Sequence, residues 1–374
     1  MRRRLRVGVL FGGRSVEHSV SLQSARYVVE GLRENRHEVI PIGITPEGRW
    51  IPLRSLPAPE VKLLPSEPTN GHLAPADEPA RDLIGLDGPR GAKEGRPGRL
   101  DVVFPVLHGL HGEDGTIQGL LETADIPYVG SGVLGSALGM DKAVMKVLLR
   151  QAGLPVAEHL VLREPEWPAA AADLRGRVES EIGFPCFVKP ANCGSSVGVT
   201  KVRSAAELGP AVETAFRYDR KVLVEAFVAG REIECSVLGN DDPTASVPGE
   251  ILPGREFYDY RAKYLEDCAR LLIPAPLAEE QARRVRDLSL RAFLALECSG
   301  MARVDFFLRR DTGEILINEL NTIPGFTAIS MYPKLWEASG MGRGELLDRL
   351  LALALERHRQ RHGRETRYLP GRDG

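Results

Sequence analysis

Cysteine pairs, long apolar runs and an excess of charge of one sign are all missing from this sequence. Its five cysteines form no CxxC pair and are odd in number, which argues against a disulfide framework or a structural zinc site. Apolar runs stay shorter than the about 18 residues that a membrane-spanning helix needs. Lysine and arginine number 49 against 51 aspartates and glutamates, so no global field would attract nucleic acid or an anionic membrane. These absences favour a cytoplasmic protein with reduced thiols and a small charged substrate.

The sequence does have length and apolar content. At 374 residues, 43% of them apolar, it exceeds the about 100 to 200 residues of one ordinary domain, so we expect two or three. The apolar run 5–11, the turn at Gly12-Gly13 and the helical pattern 19–33 predict the first βα unit of an open parallel sheet. A strand at 38–44 continues it.

The strand and helix patterns stop at residue 52 and resume at residue 101. Residues 52–98 are dense in Pro, Gly, Glu and Asp and predict a surface excursion. A strand at 101–107 runs into the loop at His108 and a helix at 116–124. Since ligands of open sheets bind at the carboxyl ends of strands, the Gly12 and His108 loops should line one crevice. Further helices are predicted at 143–152, around Val285 and Ala292, and at 345–357, where the last is followed by a frayed polar tail.

A predicted hairpin carries the densest group of chemically active side chains. Alternation along a strand places Arg303 and Asp305 on one face of the apolar run 302–308, and Glu319 and Asn321 on one face of 315–320. A turn centred on Thr312 sets Asp305 opposite Glu319 and Arg303 opposite Asn321, although a one-residue bulge would flip the faces. Facing carboxylates with an amide favour Mg²⁺ or Mn²⁺.

The alternative is a buried arginine–carboxylate network that only holds the hairpin together. The backbone-rich loop 322–327 directly after the ligands argues against it, because its amide N–H groups can approach an oxyanion.

A second group suits phosphate. The strand before Lys189 delivers a lysine to the small-residue loop 190–198, whose backbone can wrap phosphate oxygens. A plain Gly/Ser turn is the alternative. The strand 222–228 and its linker carry Glu225 and lead to Glu232, either as an ordinary sheet with exposed carboxylates or as a holder for a nucleoside.

Five stretches in the same order resemble one family, the D-alanine–D-alanine ligases of the ATP-grasp superfamily. They are FGGRSVEHSVS from Phe11, HGLHGEDGTIQ from His108, VKP from Val188 with GSSVG from Gly194, FYDYRAKY from Phe257, and NELNTIPGFT from Asn318. The resemblance implies an α/β ATP-grasp fold: an N-terminal Rossmann-like open parallel-sheet domain and two ATP-grasp subdomains. It places them at 1–140, 141–228 and 229–365, with a tail at 366–374.

The resemblance also implies an activity. Two D-alanines would be joined through an acylphosphate, with ATP cleaved to ADP and phosphate, to supply peptidoglycan precursors. Two Mg²⁺ ions, or Mn²⁺, would serve as cofactors, and the protein would be a cytoplasmic homodimer that binds no nucleic acid or membrane.

Site residues carry over position by position. The resemblance implies that Asp305, Glu319 and Asn321 are metal ligands. Nucleotide binding falls to Lys142, Lys189, Glu225, Ala226, Val228, Glu232, Lys263 and Asn321. The catalytic set is Glu17, Ser195, Tyr264, Arg303 and the backbone N–H of Gly325, while Glu17, His108 and Ser330 contact D-alanine.

Two other functions stay open. A D-alanine–D-lactate ligase would make a depsipeptide, but such relatives typically depart from the YRAKY motif that ends at Tyr264. A non-catalytic ATP-binding sensor would need neither Glu17 nor Ser330.

Overall fold

The computed structural model describes residues 3–53, 56, 100–252 and 270–364. Most of the excursion predicted at 52–98 and all of the tail at 366–374 lie outside these residues. Within them the strands are β1 (Arg6–Gly12), β2 (Glu38–Ile44), β3 (Trp50–Pro52), β4 (Val102–Val106), β5 (His159–Arg163), β6 (Cys186–Pro190), β7 (Thr200–Val202), β8 (Lys221–Ala226), β9 (Gly230–Gly239), β10 (Thr244–Ala245), β11 (Gly249–Leu252), β12 (Arg270–Leu272), β13 (Gly300–Arg309) and β14 (Ile315–Asn321).

Helices of the described part connect and cover these strands. They are α1 (His18–Glu34), α2 (Thr116–Thr123), α3 (Val133–Met140), α4 (Lys142–Gln151), α5 (Trp167–Arg177), α6 (Ala205–Phe216), α7 (Glu279–Ala295), α8 (Met331–Ala338) and α9 (Arg343–His362). None of them is long and apolar enough to cross a bilayer.

The first sheet has the order β3-β2-β1-β4, with β1 parallel to both β2 and β4. From Val7 onward β1 is fully buried, which explains its continuous apolar run. Gly12 turns the chain at a positive φ of 90°, where an added Cβ would lie 2.3 Å from the carbonyl oxygen of Ile44. Because β1 and β4 end at the same edge, the Gly12 and His108 loops lie side by side, as predicted.

The C-terminal helix α9 covers one face of this sheet. Its Leu347 and Leu350 share a core with Val28 of α1 and Phe104 of β4. The prediction that this helix ends at residue 357 was wrong, since it continues to His362. Contacts with the α2 end of the first domain hold the extra turn in place.

Two antiparallel sheets form the rest of the described structure. One has the order β5-β8-β6-β7, and the other runs β12-β11-β9-β13-β14 with β10 paired to β9. Val285 and Ala292 of α7 pack on the larger sheet, as their helical spacing predicted. Met145 of α4 joins that same core. Division of the chain at 140, 228 and 365 stays a prediction.

Candidate active site

The hairpin of β13 and β14 has the register that the sequence predicted. Arg303 lies opposite Asn321, and Asp305 lies opposite Glu319. Gly313 in the turn has a positive φ of 71°, as a tight hairpin turn requires. Four polar side chains therefore share one face of the larger sheet.

A β-bulge maintains this arrangement. Nearer the turn, Phe306 pairs with Ile317, which is a register shifted by one residue from that at Asp305. Without the irregularity between Asp305 and Phe306, Asp305 would lie opposite Asn318 rather than Glu319. The bulge thus re-aims β14 so that its carboxylate, and not its neighbour, faces Asp305.

Arg303 is the cation between the carboxylates. Its Nε and Nη2 donate to Oδ1 and Oδ2 of Asp305, both at 2.7 Å, and Nε lies 3.0 Å from Oε2 of Glu234 on β9. Burial works against the charged guanidinium, but Asp305 and Glu234 outweigh burial and hold the pKa of Arg303 well above its usual value. The sequence pattern did not pair Glu234 with Arg303, because only strand pairing brings β9 beside β13.

The remaining hairpin groups complete an oxygen-rich face. Nδ2 of Asn321 donates to Oδ2 of Asp305 at 3.0 Å, and Nζ of Lys142 lies 3.3 Å from Oε2 of Glu319. Carboxylate and amide oxygens are the donors that Mg²⁺ and Mn²⁺ prefer, so this face fits a divalent ion.

A second charged cluster lies between α4 and the smaller sheet. The carboxylate of Glu225 on β8 forms ion pairs with the ammonium groups of Lys146 and Lys189. Burial raises the pKa of Glu225, but the two lysines lower it more, to about 2. Two ammonium groups thus share one carboxylate.

Lys146 was missed in the sequence. Its side chain is fully buried, and its Nζ also donates to the carbonyl oxygen of Asn318 at 3.1 Å. A signal was available: Lys146 follows Lys142 by four residues, and such a pair shares one helix face. Asp141 caps α4 by accepting from the N–H groups of Ala143 and Val144, which fixes where both lysines point.

The loop after Lys189 reaches the N-terminal domain. Ser195 and Ser196 have positive φ angles of 50° and 57°, which is uncommon for residues other than glycine. The hydroxyl of Ser195 donates to Oε1 of Glu17. A Cβ added at Gly194 would lie 2.7 Å from Oε2 of Glu17, so a larger residue here would displace that carboxylate.

His108 connects the loop after β4 to helix α1 and to the loop after β14. Its Nδ1 lies 3.0 Å from the carbonyl oxygen of Ile323, and its Nε2 lies 3.0 Å from Oγ of Ser24. Since a carbonyl only accepts, Nδ1 carries the proton. Burial lowers the pKa of His108, which keeps the imidazole neutral.

Glu113 is another residue that sequence reasoning missed. Its carboxylate accepts from the backbone N–H of Gly109 at 2.8 Å and from that of Ile323 at 3.0 Å. Burial and the nearby charge of Glu17 raise the pKa of Glu113 to about 8. It lies five residues beyond His108 inside a motif already singled out, so its position, though not its partners, was visible.

The loop after β14 brings two more predicted residues together. A Cβ added at Gly325 would lie 3.0 Å from Oγ of Ser330. That oxygen accepts from the backbone N–H of Thr327 at 3.0 Å. Ser330 directly precedes α8.

The other predicted nucleotide residues lie where the two antiparallel sheets meet. Ala226 ends β8, Val228 lies in the short linker, and Glu232 is on β9. Lys263 and Tyr264 fall outside the described residues.

Family profiles match most of the chain. Residues 6–131 match the D-ala D-ala ligase N-terminus, and residues 148–352 match the D-ala D-ala ligase C-terminus. The chain belongs to the D-alanine–D-alanine ligase family. The family's ligase from Geobacillus thermodenitrificans is 50% identical over 358 residues, covering 95% of this chain and 97% of that protein. The one from Natranaerobius thermophilus is 47% identical over 369 residues, covering 98% and 99%.

Solved ligases share the architecture. The D-alanine–D-alanine ligase from Coxiella burnetii has a TM-score of 0.78 and 37% identity, covering 97% of each chain. The VanG D-Ala:D-Ser ligase from Enterococcus faecalis has a TM-score of 0.76 and 35% identity, covering 94% of this chain and all of that one. The fold is therefore the ATP-grasp fold of these ligases, with the predicted N-terminal domain.

Proposed function

We propose that this protein joins two molecules of D-alanine into D-alanyl-D-alanine, cleaving ATP to ADP and phosphate, to supply peptidoglycan precursors. The observation that carries the proposal is the shared face on which Arg303, Asp305, Glu319 and Asn321 meet, within a chain about half identical to ligases of that name. Phosphoryl transfer needs positioning and charge neutralisation more than covalent chemistry, and this face supplies both.

Nucleotide binding is assigned to the cleft between the two antiparallel sheets. Lys142 and Lys189 contact the phosphates, and Lys263 joins them. Adenine and ribose are held by Glu225, Ala226, Val228 and Glu232. The surplus ammonium group beside Glu225 supports an anion site, because burial strengthens its attraction to phosphate.

Two Mg²⁺ ions are assigned to Asp305, Glu319 and Asn321, with Mn²⁺ as a substitute. When bound, they offset the phosphate charge that repels the nucleophile. The donor set supports this assignment.

The D-alanines are assigned to the crevice that Glu17, His108 and Ser330 border. Glu17 binds the ammonium of the first D-alanine, oriented by Ser195 and Tyr264, and Ser330 binds the carboxylate of the second. The first carboxylate attacks the γ-phosphorus of ATP, forming an acylphosphate and releasing ADP. The amine of the second D-alanine then attacks the acyl carbon, and phosphate leaves. Arg303 and the N–H of Gly325 stabilise the tetrahedral oxyanion.

We assign the protein to the cytoplasm, where ATP is available and its thiols stay reduced, and propose a homodimer. Light scattering after size exclusion at micromolar concentration tests the oligomeric state, and a monomer would contradict it.

The test is phosphate release from ATP and Mg²⁺ with D-alanine, with L-alanine, and with D-alanine plus D-lactate or D-serine, with products identified by mass spectrometry. We expect release that needs D-alanine and yields D-alanyl-D-alanine. A depsipeptide would instead indicate the D-lactate function. A folded, ATP-binding protein that releases no phosphate would indicate the sensor.

A matched pair of variants tests the site itself. Asp305→Asn removes a proposed metal ligand, whereas Asp311→Asn removes an exposed carboxylate from the turn of the same hairpin. Only the first should abolish release.

A further inference from the structure

A cluster of two histidines and one aspartate lies at the end of α9. His358 and His362 are four residues apart, so they project from one face of the helix. Asp125, in the loop after α2, faces them. One carboxylate oxygen and two imidazole nitrogens lie within 4.8 Å of one another.

The spacing within this cluster matches a coordination sphere. Nε2 of His358 lies 3.2 Å from Nε2 of His362 and 3.1 Å from Oδ1 of Asp125, and His362 also contacts that oxygen. Ligand atoms about 2.05 Å from a tetrahedral Zn²⁺ are about 3.3 Å apart. Two of the three separations are close to this spacing and the third pair is also in contact, so one ion can reach all three atoms.

Hydrogen bonds alone satisfy this arrangement poorly. Two neutral imidazoles can each donate Nε2–H to Oδ1 of Asp125, but this leaves the two Nε2 atoms 3.2 Å apart with no acceptor between them. A cation at the centre satisfies all three atoms at once. The neighbouring cations do not fill that role: Arg361 pairs with Glu122, and Arg357 stacks 4.3 Å from the Tyr128 ring centroid.

We propose that Asp125, His358 and His362 bind a divalent transition-metal ion such as Zn²⁺, with the fourth position open to water. Two imidazoles and a carboxylate suit this class of ion better than Mg²⁺ or Ca²⁺. The ion joins the last turn of α9 to the N-terminal domain. It lies at the opposite end of α2, about 12 Å long, from the His108 loop, so it is separate from the proposed magnesium site.

Calorimetry of the untagged, metal-stripped protein with ZnCl₂ tests this site, with millimolar MgCl₂ present to saturate the hairpin site. We expect one binding event in the wild type that is lost in the His358→Gln/His362→Gln double variant. Asp125→Asn, which keeps the side-chain shape, should weaken it. His111→Gln is the matched control, because it removes an exposed histidine from the other end of α2 and should leave the event unchanged.

Circular dichroism establishes that each variant is folded before it is titrated. Co²⁺ in place of Zn²⁺ should give visible absorption bands in the wild type and in His111→Gln but not in the double variant. If the wild type binds no Zn²⁺, or the folded double variant binds it equally well, the cluster is an ion-pair network and the proposal is wrong.

Discussion

Two charged clusters of the active site have opposite composition. Beside α4, the two ammonium groups of Lys146 and Lys189 share the single carboxylate of Glu225, which leaves a formal charge of +1. On the hairpin the proportion is reversed, because Asp305 and Glu234 are two carboxylates that share the one guanidinium of Arg303. Lys142 lies between the clusters, where it contacts Glu319.

This difference indicates what each cluster is suited to receive. Buried charge is costly unless it is paired, so a fold that keeps a surplus in place keeps it for a ligand of opposite sign. The lysine cluster suits phosphate and the hairpin cluster suits a metal cation. Placing them side by side suits a metal–nucleotide complex.

Removing Arg303 should have the largest effect on activity and stability. Arg303→Ala leaves Asp305 and Glu234 without their cation and removes an oxyanion donor, so we expect kcat for phosphate release to fall about 10²- to 10³-fold. Losing the two ion pairs of this buried guanidinium should also lower the free energy of unfolding by about 3 kcal/mol, measured in urea.

The control for this change is Arg309→Ala, which removes an exposed arginine that pairs with Asp311 near the turn of the same hairpin. It should change neither quantity appreciably. Equal activity of the two variants would contradict the role of Arg303.

Removing the surplus cation Lys146 should weaken ATP binding at the lysine cluster. Lys146→Met keeps the hydrocarbon stem of the side chain, removes the surplus charge and leaves Glu225 paired with Lys189, so we expect weaker ATP binding with the free energy of unfolding lowered by less than about 1 kcal/mol or raised. Urea unfolding and ATP titration measure the two effects.

Lys201→Met serves as the matched control, because its ammonium lies 4.2 Å from the centre of the Phe227 ring, at the edge of the same sheet. It should cost less than about 1 kcal/mol. A Lys146→Met variant that is markedly less stable than this control would show that the surplus charge is not a cost to the fold.

Glu113 differs from both clusters, because burial raises its pKa more than its two backbone N–H donors and Lys142 lower it. Its pKa in the folded protein, about 8, exceeds the ordinary value of 4.5, so the folded state holds the proton more tightly than the unfolded state. The resulting stability is complete below pH 4.5 and is lost as the pH rises through 8. Its slope is at most about 1.4 kcal/mol per pH unit, the value for one bound proton.

Glu113→Gln should remove this slope. Urea unfolding of both proteins at several pH values from 5 to 9 measures it. Parallel curves for the two proteins would show that Glu113 is ionised throughout, as its two backbone donors alone would favour.

Local sequence patterns were enough to predict several strands and the arrangement of the hairpin. Alternation along β13 and β14 placed four site residues on the correct face, and apolar runs located β1, β2 and β4. Prediction failed where distant segments decide the outcome. The end of α9 depends on contacts with Glu122 and Asp125.

Motifs were enough to indicate the family and to name most residues of the candidate site. Hydrophobic periods of two and 3.6 residues were enough to give the order of strands and helices. Only the tertiary structure decided which charges meet. Lys146 finds a carbonyl 172 positions away, and Asp125 meets His362 across 237 positions. Charge pairing depends on distance in space, and distance in space between remote segments is set by packing, which no local pattern records.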